Sequence, residues 1–177
     1  MKRILIVIDM QNDFISGSLG NEDCKNAVNG CVDLCENGNF DYIIFTKDTH
    51  HEDYLSTLEG QKLPVKHCII GTDGWEIIPE LQKFLKKSYT ITKNTFGSTV
   101  DLPWEIRGIE TWIDKDIELH FCGVCTSICV LSNMTICRAN FPNAKIVLHK
   151  NATGDVTEEM KQAAFVCAKA IQCEVED

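Results

Sequence analysis

Three side chains far apart in the sequence have the types needed for nucleophilic hydrolysis. Cys129 follows the turn Gly123-Val124-Cys125-Thr126-Ser127 and falls just inside a helical segment. A thiol there meets the positive end of the helix dipole and backbone N–H groups, which favour thiolate and can hold an oxyanion. Asp9 ends one apolar run and could move a proton; Lys93 ends another and would supply a cation beside thiolate or carboxylate. A second group is Asp48-Thr49-His50 with His67 further on. One carboxylate and two imidazoles suit a divalent cation such as Zn²⁺, Mn²⁺ or Fe²⁺. Three protein ligands would leave positions open for water or substrate. Glu59 is a further candidate ligand, whereas His51, adjacent to His50, points elsewhere. Taken singly, these residues also read as a core cysteine, a strand-ending carboxylate, a surface lysine and solvated loop histidines.

What gathers them is the order of the elements. Apolar, β-branched runs alternate with stretches of helical period. Strands are predicted at Arg3–Ile8, Tyr42–Thr46, Tyr89–Thr92, Ile117–Cys122, Ala144–His149 and Gln172–Val175. Helices are predicted at Cys24–Asn37, Glu76–Lys87, Trp104–Ile113, Thr126–Asn140 and Thr157–Ala170, with Asp48–Gly74 and Asn94–Leu102 as loops. In Cys24–Asn37, the apolar stripe is Ala27, Val28, Cys31, Val32 and Cys35. Strands separated by helices imply an α/β fold. The expectation is one doubly wound domain over residues 1–177, with a mostly parallel six-stranded sheet and helices on both faces. Ligands in such folds bind beyond the carboxyl ends of the strands. Asp9, Asp48, His50, Lys93 and Cys129 all follow such ends.

Composition narrows the classes. The chain has 177 residues and a net charge of −9, which argues against a sequence-independent nucleic-acid binder. No apolar run approaches the roughly 18 residues of a membrane span. The run Ile4–Ile8 stops at Asp9, too short for a signal sequence, so a cytoplasmic location is expected. Ten cysteines in that compartment read as free thiols, several of them inside apolar runs. A metal or iron–sulfur cluster is the weaker reading. Cys122, Cys125 and Cys129 lack a fourth ligand nearby, and Cys24, Cys31 and Cys35 have helical spacing.

The motifs taken together resemble the isochorismatase-like cysteine hydrolases, in particular their nicotinamidase-related branch. They are Ile6-Val7-Ile8-Asp9-Met10-Gln11-Asn12-Asp13-Phe14, Asp48-Thr49-His50, Leu63-Pro64-Val65-Lys66-His67 through Thr72, Thr92-Lys93-Asn94-Thr95-Phe96, and Gly123 through Val130. They span most of the chain in family order. The resemblance implies a Rossmann-like fold with Asp9, Lys93 and Cys129 as a catalytic triad. It also implies a cis peptide between Val124 and Cys125, and an oxyanion hole from the N–H groups of Cys125 and Cys129. It maps a metal site onto Asp48, His50 and His67, where the metal, zinc first among candidates, would orient the pyridine nitrogen of a small amide. Phe14 would pack against the substrate ring. A homo-oligomer, dimer or tetramer, is implied as well.

There are departures from the family pattern. Leu63 stands where an aromatic residue is common, so Phe96, Trp75 or Trp104 would have to complete the ring pocket. Ser127 stands where aspartate is common at the start of the nucleophile's helix. The leading expectation is nicotinamide hydrolysis to nicotinate and ammonia through a cysteine thioester. The alternatives are a ureido, carbamoyl or vinyl-ether hydrolase of the same fold, and a non-catalytic, thiol-rich binding or redox protein.

Overall fold

A computed structural model describes residues 1–109 and 114–177. Its centre is one sheet of six strands: β1 (Lys2–Ile8), β2 (Tyr42–Asp48), β3 (Tyr89–Lys93), β4 (Ile117–Val124), β5 (Lys145–Gly154) and β6 (Glu174–Glu176). Their order is β3-β2-β1-β4-β5-β6. Every pairing is parallel, so the sheet is wholly rather than mostly parallel. The strand order reverses between β1 and β4, the place where such sheets open a crevice.

The helices are α1 (Asn12–Ile15), α2 (Glu22–Asn37), α3 (Leu58–Lys62), α4 (Pro79–Leu85), α5 (Asp101–Gly108), α6 (Leu131–Asn140) and α7 (Glu158–Ala170). They cover both faces, which is why β1 reads as a continuous apolar run. Ile4, Ile6 and Ile8 pack with Leu102 and Ile106 of α5, Met134 of α6 and Phe165 of α7. Leu5 and Val7 face the other way, towards Phe14 of α1, Cys24 and Cys31 of α2 and Leu81 of α4. Each such side chain contributes roughly 1.5–3 kcal/mol by leaving water. Among the described residues, no helix is long and apolar enough to cross a membrane.

Several boundaries differ from the sequence expectation, for local reasons. Asn21 accepts from the Cys24 N–H at 2.9 Å, so α2 starts two residues early. Pro79 sits in the first turn of α4 and delays it from Glu76, while Ile77 bridges to Gln11. The expected loop Asp48–Gly74 contains α3, capped by Thr57, and two short 3₁₀ turns, Tyr54–Ser56 and Asp73–Trp75. The helix expected at Trp104–Ile113 begins earlier, at Asp101, within the expected loop, and is described to Gly108; residues 110–113 lie outside the described residues. β5 runs on past His149 to Gly154, and β6 starts two residues later than expected. The chain enters α6 through a wide π-type turn, Thr126–Val130, in which Val130 N–H donates to the Cys125 carbonyl at 3.1 Å.

Candidate active site

Four adjacent strands deliver the reactive groups to one edge. β3 ends at Lys93, β2 at Asp48, β1 just before Asp9, and β4 just before the turn that carries Cys129. The approach of β1 to β4 is close. Gly123 has φ +109°, and a Cβ there would lie 2.1 Å from the Ile8 carbonyl oxygen, so only glycine fits. Asp9 itself is left-handed, with φ +48°, a conformation aspartate tolerates and one that recurs at functional sites.

The first cluster is compact and dry. Lys93 Nζ lies 2.6 Å from Asp9 Oδ2, 3.7 Å from Cys129 Sγ and 3.7 Å from Asp48 Oδ1. Thr46 donates its hydroxyl to Asp9 Oδ1 at 2.6 Å and accepts from the Asp9 N–H at 3.2 Å. Burial pushes the Asp9 carboxyl up, against the pull of the Lys93 ammonium. Burial and the Asp9 charge push the Cys129 thiol well up. Lys93 is also desolvated, yet Asp9, Cys129 and Asp48 raise it and hold it as ammonium. The cation is therefore the fixed charge. One proton can pass between Cys129 and Asp9 with no change in the net charge of the cluster.

The second cluster is made by Asp48, His50, His67 and Glu59, whose ligand atoms all lie within 4.8 Å of one another. His50 Nε2 is 2.9 Å from Asp48 Oδ2, and His67 Nε2 is 3.5 Å from it. Glu59 Oε1 is 3.7 Å from both rings. His67 Nδ1 faces the Val65 carbonyl at 2.9 Å, so that nitrogen carries the proton and Nε2 keeps its lone pair for the cluster. His50 Nε2 is buried without a well-aligned hydrogen bond, despite the nearby carboxylate. An orphaned ring nitrogen beside a carboxylate, a second imidazole and a second carboxylate is a donor set that fits a divalent cation. Burial would raise Asp48, but the two histidines and the Lys93 ammonium outweigh it and hold the carboxylate low. Glu59 is raised by burial and by the Asp48 charge.

Both clusters open on a cavity of about 390 Å³, within the range of small-molecule sites. Phe14, Leu63 and Phe96 line it with Asp48, Glu59, His67, Cys125 and Cys129. The Phe14 ring stands 5.5 Å from that of His67. The peptide between Val124 and Cys125 is cis; Val124 is fully buried, while Cys125 faces the cavity. Of the aromatic residues that were to replace the missing wall at Leu63, only Phe96 lines this cavity. Trp75 lies under Lys47, whose Nζ is 3.1 Å from its ring, and Trp104 is exposed over another surface. His51 is exposed and takes no part in either cluster.

The sequence reading missed the residues that hold these groups in place. Gln11 donates to the Asp48 and Trp75 carbonyls, both at 2.8 Å, and accepts from the Asp48 N–H at 2.7 Å. Asp13 accepts from the Cys68 N–H at 2.7 Å, fixing the turn beside His67. Asn133 donates to the Cys129 carbonyl at 2.8 Å. Asp155 replaces the aspartate absent at Ser127: its carboxylate accepts from the Ser127 N–H at 2.7 Å and hydroxyl at 3.0 Å. The polar run directly after Asp9, out of place against an apolar strand end, was the available signal for Gln11 and Asp13.

Fold and site define a hydrolase class, and comparison with known proteins places the chain within it. The Isochorismatase domain family matches residues 3–177, and the chain belongs to that family. It is an isochorismatase-family hydrolase, an enzyme. It is 31% identical over 172 residues to the isochorismatase family protein PncA of Bacillus subtilis, covering 90% of each chain. It is 27% identical over 193 residues to the nicotinamidase/pyrazinamidase of Mycobacterium tuberculosis, covering 94% of this chain and 99% of that one. The crystal structure of nicotinamidase PncA from Bacillus subtilis superposes with a TM-score of 0.84 at 29% identity, over all of both chains. The pyrazinamidase of Pyrococcus horikoshii, solved in complex with zinc, shares the fold with a TM-score of 0.80 at 23% identity, over 99% of this chain and 98% of that one.

Proposed function

We propose that this enzyme is a cysteine amidohydrolase that converts nicotinamide, or a closely similar heteroaromatic amide, to the carboxylate and ammonia. The observation that carries the proposal is the position of Lys93, 2.6 Å from Asp9 and 3.7 Å from Cys129, with Cys129 lining the same cavity as Asp48, His67 and Glu59 of the second cluster. Its relatives named as nicotinamidases support the choice of substrate.

The chemistry rests on the groups present. Asp9, raised by burial, takes the proton of the Cys129 thiol while Lys93 stays charged beside the thiolate. The sulfur attacks the amide carbon, and the N–H groups of Cys125 and Cys129 hold the oxyanion. Asp9 returns its proton to the departing nitrogen, the C–N bond breaks, and ammonia leaves a thioester on Cys129. Asp9 then takes a proton from water, whose oxygen attacks the thioester, releasing the carboxylic acid and restoring the thiol. Asp48, His50, His67 and Glu59 would hold a divalent cation, zinc first among candidates. When bound, it would supply a Lewis-acid anchor for a ring nitrogen. Phe14 and Phe96 offer apolar walls for the ring.

The same reading includes one hydrolase domain over residues 1–177, a cytoplasmic location, assembly as a homo-oligomer and a role in returning nicotinate to NAD synthesis. The deciding experiment is ammonia release from nicotinamide by purified protein of assayed metal content, with Cys129→Ala alongside. Release by the wild type that is lost in the variant supports substrate and nucleophile together. Zinc-loaded wild type that releases none overturns the substrate, and a panel of amides and ureido acids is then the next assay.

A further inference from the structure

The two groups of cysteines that look unrelated in sequence meet in space. Cys24 and Cys31 of α2 face β4 and the residue directly after it: all four cysteines pack in one cluster, Cys24 beside Cys125 and Cys31 beside Cys122. The settings of the two pairs differ. Cys31 and Cys122 are sealed in the core, and the Cys31 thiol is satisfied by the Ala152 carbonyl at 3.2 Å. Cys125 is half-buried and lines the substrate cavity, four residues before the nucleophile. Its partner Cys24 is buried behind it and donates to the Asp155 carbonyl at 3.8 Å. The backbones are also close. A Cβ on Gly154 would lie 2.6 Å from the Cys24 Cα, and Gly154 is in register with Val124, the neighbour of Cys125. The pair thus couples the first turn of a 16-residue helix to the segment offered above as the oxyanion hole.

We propose that Cys24 and Cys125 are a redox pair whose oxidation by a hydroperoxide forms a disulfide and reversibly switches the hydrolase off. The peroxide enters through the cavity and meets Cys125. An S–O bond forms as the O–O bond breaks, giving a sulfenic acid and water. Cys24 then attacks that sulfur; the S–S bond forms, the S–O bond breaks, and the oxygen leaves as a second water. Two thiols and one hydrogen peroxide give one disulfide and two waters. Contact between the two thiols pushes Cys125 up and lowers Cys24, which sits at a helix N-terminus, so Cys24 is the thiolate of the pair: it takes the Cys125 proton as that sulfur attacks the peroxide and then stands placed to attack the sulfenic acid. Covalent contact draws Cys125 towards α2 and moves its N–H away from the developing oxyanion. Displacements of about 1 Å in a catalytic site cost on the order of 100-fold in rate. The effect on activity rests on the amidase reading; formation of the bond does not.

The test therefore has two readouts. Wild type and Cys129→Ala are treated with hydrogen peroxide, blocked with N-ethylmaleimide, digested without reductant and mapped by mass spectrometry. A peptide pair joining Cys24 to Cys125 is expected in both, lost after dithiothreitol. In parallel, wild-type ammonia release should fall at least tenfold and recover with dithiothreitol. Cys24→Ser should keep the untreated activity, form no cross-link and lose far less at the same dose. Absence of the Cys24–Cys125 peptide from both proteins overturns the pair. A cross-link that leaves activity unchanged, or equal reversible loss in Cys24→Ser, overturns the switch. A protein that forms the cross-link yet has no amidase activity at any stage refutes the functional reading and leaves the pair intact.

Discussion

Gly123→Ala tests whether the closeness of β1 and β4 is what assembles the site. Two costs act on the added methyl. At φ +109° an L-residue is held in a region that costs about 1–3 kcal/mol. Its Cβ would also stand 2.1 Å from the Ile8 carbonyl oxygen, below the 3.0 Å floor of real contacts. That neighbour is strand backbone, so β1 and β4 must part by about 0.9 Å, an overpacking worth roughly 1–3 kcal/mol more. The expected loss is about 2–6 kcal/mol, or very roughly 10 °C in Tm for a chain of this size. Ile8 precedes Asp9 and Gly123 leads to Cys129, so the same parting separates Asp9 from Cys129. Activity should fall on the order of 100-fold, in kcat more than in KM. Gly71→Ala is the control: its φ is +81° but nothing lies within 4 Å of the new methyl, so only the conformational cost remains. Urea unfolding and initial-rate kinetics on both variants decide. If Gly123→Ala unfolds within 1 kcal/mol of Gly71→Ala and keeps its kcat, the steric argument fails.

Single side chains carry the other expectations. Thr46→Val removes the hydroxyl bonded to Asp9 Oδ1 at 2.6 Å and should lower kcat about tenfold, with about 1–3 kcal/mol of stability lost to the unsatisfied carboxylate; unchanged steady-state kinetics would sink that role. Gln11→Leu strips Asp48 of two backbone hydrogen bonds and should weaken zinc binding 10- to 100-fold, read by titration against a competing chelator. His149 is pulled down to about 4 by burial, by His120, which it meets at 3.0 Å, and by the charges of Arg3 and Lys145. Its folded pKa lies below the unfolded value, so its contribution to stability is fully present above about pH 6.5 and is lost as pH falls towards 4. His149→Gln should flatten that stretch of the Tm–pH curve, and an unaltered slope would refute the assignment.

What was legible in the sequence was what repeats or ends abruptly. Ile4–Ile8 announced a strand covered on both faces because every residue in it is buried. Asp9, Asp48 and Lys93 stood out because a charged residue closing such a run must either face solvent or meet a partner. The short elements did not announce themselves. α3 is five residues long and mostly polar, held by its Thr57 cap and by burial of Gly60 rather than by any periodic stripe. The π-type entry to α6 depends on hydrogen bonds spanning five residues, from Val130 N–H to the Cys125 carbonyl and from Leu131 N–H to that of Thr126, which leave no periodic trace. Asp155 was hidden by distance: the carboxylate that steadies Ser127 is 28 residues further along the chain. Leu63 pointed to a substitute aromatic wall, but only the folded chain shows that Phe96, and neither tryptophan, lines the cavity.

The order of the strands splits the catalytic equipment along a seam. In the proposed reaction, β1, β2, β3 and their connections supply Asp9, Lys93 and the Asp48–His50–His67–Glu59 cluster, and the turn after β4 supplies Cys129. Neither half owns a reaction. As the chain leaves the ribosome, Asp9, Asp48 and Lys93 emerge before Cys129, and turnover must wait for β4 to dock against β1. A chain severed between β3 and β4 would therefore behave as two silent fragments whose reunion switches on catalysis, and the β1–β4 joint would serve as the coupling of a split enzyme.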